Sequence, residues 1–150
     1  MAADKWKTYD SFLELMGDNT IDMDGDTFKV ALFTSTSNAA TLTNSELGDL
    51  TNEVTNANGY TTGGNTLTSV TWSQVSGTVT FDSADTVWTA SGGSITARFA
   101  VIYSDTSVND KLVAYSLLDN APADVTATDG NTLTIQMNAS GIFTGVADNT

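Results

Sequence analysis

Aspartate is the residue type with the most chemistry to offer in this chain, and it gathers in one stretch, DNTIDMDGD, which holds Asp18, Asp22, Asp24 and Asp26. Carboxylates so close together are what a calcium loop needs, with acids at positions 1, 3 and 5, glycine at 6 and a bidentate glutamate at 12. Counted from Asp18, Gly25 arrives two places late and position 12 is Lys29. Counted from Asp22, the glycine arrives two places early and position 12 is Phe33. The EF-hand pattern fails both ways. The plainer role for these aspartates is to cap a helix end, open a hairpin and keep a loop hydrated. A calcium site of another kind in the Asp18–Asp26 loop stays open.

Other reactive groups are scarce. The chain has no histidine and no cysteine, so it lacks the usual base near neutral pH and the best nucleophilic thiol. A Ser-His-Asp triad and the common zinc sites are thereby excluded. The glycine cluster NGYTTGGNT carries no lysine and does not lie between a strand and a helix, so it is a surface loop and not a phosphate cradle. A glycosidase needs two carboxyls across a cleft, one with a raised pKa. Nothing singles out such a pair among the 18 acids, of which only Glu14, Glu46 and Glu53 are glutamates. The expectation is a non-enzymatic protein without cofactor or resident metal.

Aromatic side chains are the remaining candidates. Trp72, Trp88, Tyr60 and Tyr103 could stack on sugars, but Trp72 and Tyr103 lie in alternating runs that favour core packing. Tyr60, in the glycine-rich loop, is the aromatic expected at the surface and the candidate glycan contact. The stretch KWKTYDSFLELM, residues 5 to 16, places Trp6, Tyr9, Leu13 and Met16 near one helical stripe with Phe12 beside it, and Gly17 stops it. An amphipathic helix there either covers one end of a β domain or docks on another protein, with Lys5, Trp6, Lys7 and Phe12 as its contact residues.

These residues need a scaffold, and the rest of the sequence reads as strand and turn. TIDM and DTFKVAL flank Asp24-Gly25, a pair suited to a hairpin. TLTSVTWS and GTVTFDS alternate Val70/Trp72 and Val79/Phe81 about a QVSG connection. SITARFAVIYSD and KLVAYSLLD are long and apolar enough to be central strands buried on both faces, and NTLTIQM supplies another. Residues 34 to 66 hold few large apolar side chains and read as a long surface excursion. The single proline, Pro122, falls in a connection, and VADNT reads as a frayed tail. The predicted architecture is all-β, an antiparallel sandwich or barrel of jelly-roll or Ig-like type with one short N-terminal helix. Its organisation is a helical segment over residues 1–19 and a single β domain over 20–150.

The net charge is −13, from 18 acidic and five basic residues. Nucleic acid or an anionic membrane would be repelled by such a surface, because phosphate binding requires clustered Lys and Arg. No apolar run has the length of a signal peptide or of a membrane span. The expected site of synthesis is therefore the cytoplasm.

The ordered set DTFKVALFTST, LTNEVTNANGYTTGGNTLTSVTW, ARFAVIYSDT, LVAYSLLD and TIQMNASGIF, spanning about residues 26 to 144, resembles small virion proteins of tailed bacteriophages. The resemblance implies a decoration (cement) or minor structural protein, made in the host cytoplasm and carried on the capsid exterior. Its implied partner is the major capsid protein, bound by a homo-oligomer such as a trimer. The alternative is a tail- or fibre-associated module that binds a host glycan through Tyr60.

Overall fold

The computed structural model describes residues 3–121 and 123–147. Pro122 and the end of the expected tail, residues 148–150, lie outside the described residues.

The fold is all-β, and every strand pair is antiparallel. In chain order come β1 (Lys7–Thr8), the helix α1 (Phe12–Gly17), β2 (Phe28–Phe33), β3 (Asn65–Thr66), β4 (Thr71–Val75) and β5 (Thr78–Asp82). They are followed by β6 (Thr86–Thr89), β7 (Ile95–Ala97), β8 (Phe99–Ser104), β9 (Leu112–Leu117), β10 (Val125–Ala127), β11 (Thr132–Ile135) and β12 (Phe143–Val146). A five-stranded sheet in the order β1-β9-β8-β2-β3 forms one layer. Three small sheets, β12-β5-β4, β11-β6 and β10-β7, share a core with one of its faces. The arrangement is sandwich-like and does not close into a barrel. No helix among the described residues is long and apolar enough to cross a membrane.

Alternation along the central strands explains the layering. Phe28, Val30 and Leu32 of β2 and Ala100 and Ile102 of β8 point into the large core, with Phe81, Trp88, Ile95 and Leu133 from the small sheets. The intervening Ala31, Phe33, Val101 and Tyr103 point the opposite way and meet Tyr9, Ala39, Leu47 and Leu50 in a second core. The central strands are thus buried on both faces, and part of the 34–66 excursion supplies the cover. Burying a large apolar side chain contributes about 1.5–3 kcal/mol, so the loop is held by its few apolar residues.

Four expected elements differ. SITARFAVIYSD is two strands, broken at Arg98, whose N–H donates to the Phe33 carbonyl and whose carbonyl accepts from the Leu118 N–H. Ala97 therefore faces the large core with Ala100, and Phe99 joins the second, because the corner shifts the alternation by one residue. Asp24-Gly25 makes no hairpin. Asp22 Oδ1 accepts from the backbone N–H groups of Asp24 and Gly25, both at 3.1 Å, and winds residues 22–26 into a turn that seats Ile21 and Met23 in the core. QVSG contracts to the two-residue turn Ser76-Gly77, both at positive φ, as a tight hairpin requires. Val146, expected in the frayed tail, ends β12.

The largest correction concerns the N-terminal helix. Residues 4–9 are extended along β9: the Asp4 N–H donates to the Leu117 carbonyl, the Tyr9 N–H to the Val113 carbonyl, and β1 pairs Lys7 with Tyr115 and Thr8 with Ala114. Only Phe12–Gly17 is helical, too short to persist without its packing. Ladder hydrogen bonds and the seating of Tyr9 in the second core override the helical spacing, and the segment is an edge of the main sheet.

Candidate functional site

The residues singled out at the N-terminus occupy very different environments. Lys5 is exposed, Trp6 is half-buried against the large core, and Lys7 is exposed on β1. Phe12 is only 1% exposed and meets Phe143 edge to face, with ring centroids 5.4 Å apart. As a direct surface contact, Phe12 is therefore a misassignment, because the start of α1 is pressed onto β12. The next residue, Leu13, is 66% exposed.

Around them lies an apolar groove of about 550 Å³, whose wall and floor come from Trp6, Phe12, Leu13, Leu42, Trp72 and Phe143. Four separate parts of the chain position these groups. The extended N-terminal segment places Trp6 and α1 places Leu13. The Asp10 N–H, donating to the Leu42 carbonyl at 3.1 Å, draws the 34–50 loop alongside. Trp72 and Phe143 arrive from β4 and β12, both paired with Phe81 of β5 and forming with it an aromatic cluster. Trp6 also borders a second, more polar cleft of about 1010 Å³, which includes Lys5, Leu133, Met137 and Ile142. One half-buried tryptophan thus stands between two concavities.

The electrostatics around the groove are uneven. Lys7 pairs with Asp4 at 2.8 Å and stands 5.9 Å from the centre of the Tyr115 ring. Lys29 pairs with Asp105 at 3.0 Å, Arg98 with Asp124 at 2.8 Å, and Lys111 with Glu46. Among the described residues Lys5 is the one cation outside an ion pair, and it borders the polar cleft, whereas the lysine that lines the groove is the paired Lys7.

Tyr60 is not at the surface. It is 2% exposed, its hydroxyl donates to Glu53 Oε1 at 2.6 Å and accepts from the Leu32 N–H at 3.0 Å. Burial first, and then the bond to Glu53, push its phenol far above the ordinary range. The Gly63 N–H also donates to Glu53 Oε1, at 2.6 Å, so the carboxylate ties the loop to β2. Gly59 lets Tyr60 reach this position: at φ +90 it passes so close to the Thr89 carbonyl that a Cβ would collide. The glycan contact expected at Tyr60 is thereby withdrawn.

Asp18, Asp22 and Asp24 of the aspartate loop are exposed and Asp26 is half-buried, and donors of the chain itself engage Asp18, Asp22 and Asp26. Asp18 Oδ1 accepts from the Thr20 N–H at 2.9 Å, and Asp26 Oδ2 accepts from Ser104 Oγ at 2.6 Å and the Asp22 N–H at 3.2 Å. Among the described residues no group of three or more metal-ligating side chains converges anywhere. Asp4, Asp18, Glu46 and Asp49 are held below the usual carboxylate range, chiefly by hydrogen bonds from Lys7, Thr20, Lys111 and the Ser45 backbone respectively. That direction is opposite to the one a general acid needs. The chemistry available in the groove is burial of an apolar group beside the Lys7–Asp4 pair.

Sequence reasoning marked Trp6, Lys7 and Phe12 but not Leu42, Trp72 or Phe143 as groove residues. Trp72 carried a signal, being large and in a strand whose neighbours are polar. Leu42 stands in a loop, and Phe143 opens the short strand β12, whose sequence FTGV has too little alternation to mark a face. No protein-family model, curated protein or solved structure matches the chain.

Proposed function

We propose that this chain is a decoration protein of a tailed-bacteriophage head, which docks on the outer surface of the major capsid protein lattice and braces neighbouring subunits. The observation that carries the reading is the apolar groove beside Trp6 and Leu13, an adhesive concavity on a molecule of net charge −13. Exposed apolar surface rimmed by charge is what a protein–protein contact uses. The sequence resemblance supports the same role. Each copy contributes a modest contact, and the lattice multiplies it by holding many copies at fixed spacing, more so if the protein is a symmetric oligomer.

In this reading Phe12 and Phe143 hold the groove open from beneath, and Trp6, Leu13 and Lys5 touch the capsid. The protein acts without covalent chemistry, cofactor or nucleic-acid contact. The glycan-binding alternative loses its named residue, because Tyr60 is buried. The test is quantitative mass spectrometry of purified virions of the source phage, with the expected result of hundreds of copies in simple ratio to the major capsid protein. A few copies would move the protein to a tail or a vertex, and absence from the particle would overturn the proposal.

A further inference from the structure

The sheet β12-β5-β4 has two edges: β12 borders the two concavities, whereas β4 ends the sheet on the other side. Among the described strands, β1 and β3 end the five-stranded sheet with two residues each, and the Asp4–Lys7 ion pair sits on β1. The outer side of β6 is reached by Asn65, whose Nδ2 donates to the Val87 carbonyl at 3.1 Å. The flank of β7 and β10 carries the Arg98–Asp124 pair. β4 has none of these guards: it runs five residues, TWSQV, without charge, proline or bulge. No charged residue occurs anywhere between Glu53 and Asp82. Natural edge strands are normally blunted by charge, proline, bulges or brevity, and one lacking all of them is a template for pairing.

The hairpin fixes which groups are offered. A two-residue turn at Ser76-Gly77 makes Val75 and Thr78 a hydrogen-bonded pair, so Ser73 with Thr80 and Thr71 with Asp82 are hydrogen-bonded too. The backbone N–H and C=O of Trp72 and Gln74 then point away from β5. Neither has another backbone partner among the described residues.

We propose that β4 pairs antiparallel with β4 of a second copy of this chain, about a two-fold axis at Ser73. Trp72 of each copy exchanges both backbone hydrogen bonds with Gln74 of the other, and Val75, 71% exposed, covers the methyl of the opposing Thr71. Three-stranded sheets thereby join into one continuous sheet. The occupant is a second copy because the strand is self-complementary, and because like charge elsewhere repels two chains of net charge −13 while this uncharged edge does not. An isologous contact closes at two copies. The pairing does not depend on the proposed capsid role.

Sedimentation velocity of the full chain, from micromolar to millimolar loading, tests it. The expected result is a monomer–dimer equilibrium that tightens as salt rises, since screening removes repulsion and no ion pair is lost. Ser73→Glu sets two carboxylates face to face at the axis and should weaken the dimer more than about tenfold, with the circular dichroism and melting temperature of the monomer unchanged. Gln74→Pro, which deletes an outward N–H together with the side-chain amide beside the Ser76-Gly77 turn, should weaken the dimer as well, at some cost in monomer stability. A wild-type chain that stays monomeric throughout, a dimer that Ser73→Glu leaves intact, or open-ended growth in place of a dimer would each overturn the proposal.

Discussion

Phe12 and Leu13 are neighbours in sequence with opposite exposures, 1% and 66%, and substituting each separates folding from docking. Phe12→Ala removes a buried ring in edge-to-face contact with Phe143, a type of loss that costs about 3–5 kcal/mol. For a chain of this size each kcal/mol lowers the melting temperature by roughly 2–4 °C, so a fall of roughly 6–20 °C is expected. Leu13→Ser removes a side chain mostly in water already and should leave stability within about 0.5 kcal/mol. Docking should respond in the reverse order. Burying a whole leucine side chain is worth about 1.5–3 kcal/mol, and two thirds of that surface remains to be covered in a complex. The loss of about 1–2 kcal/mol corresponds to roughly a 5–30-fold weaker contact per copy. Thermal melts of both variants, with co-sedimentation on capsids stripped of the native protein, provide the assay at temperatures where Phe12→Ala is still folded. Leu13→Ser that binds capsids like the wild type would refute the groove as the docking surface. Phe12→Ala that melts like the wild type would refute its placement in the core.

Tyr60→Phe takes a donor from Glu53 and an acceptor from the Leu32 N–H, and should cost about 2–4 kcal/mol in urea unfolding with an unchanged slope; a neutral result would mean the buried network is not formed. Deleting residues 1–11 uncovers the outer edge of β9 and removes Tyr9 from the second core, so the remnant should melt well below the full chain; equal stability would return the segment to an independent docking arm. The depressed carboxyls Asp4, Asp18, Glu46 and Asp49 favour the folded state above their unfolded pKa values near 4, and this contribution is lost as pH falls through the lower folded values. Melting temperature should therefore hold above about pH 4 and decline below it, and Glu46→Gln should soften that decline; an acid limb identical to the wild type would show that the Lys111–Glu46 pair contributes nothing.

Most of the fold was legible because strand alternation is a local property. DTFKVAL, GTVTFDS, KLVAYSLLD and NTLTIQM each contain an observed strand, and the prediction of two buried faces for the long runs holds in β8 and β9. Misreadings came where local pattern and tertiary contact competed. KWKTYDSFLELM has helical spacing, yet Lys7 and Thr8 hydrogen-bond to β9 because an edge was open to them. Asp24-Gly25 has the composition of a hairpin turn, yet Asp22 claims the neighbouring backbone donors. Tyr60 stands in a polar, glycine-rich loop, and only the Glu53 and Leu32 partners brought close by folding bury it.

By itself the sequence determined the all-β class, the acidic surface and the absence of histidine and cysteine chemistry, since composition and period-two alternation need no knowledge of neighbours. Tertiary structure alone decided which aromatic residues are buried, how Leu42, Trp72 and Phe143 meet Trp6 in one groove, and which strand edge is left unpaired. Those outcomes depend on contacts between residues far apart in the chain, where the free energy of burial and of ladder hydrogen bonds outweighs local preference.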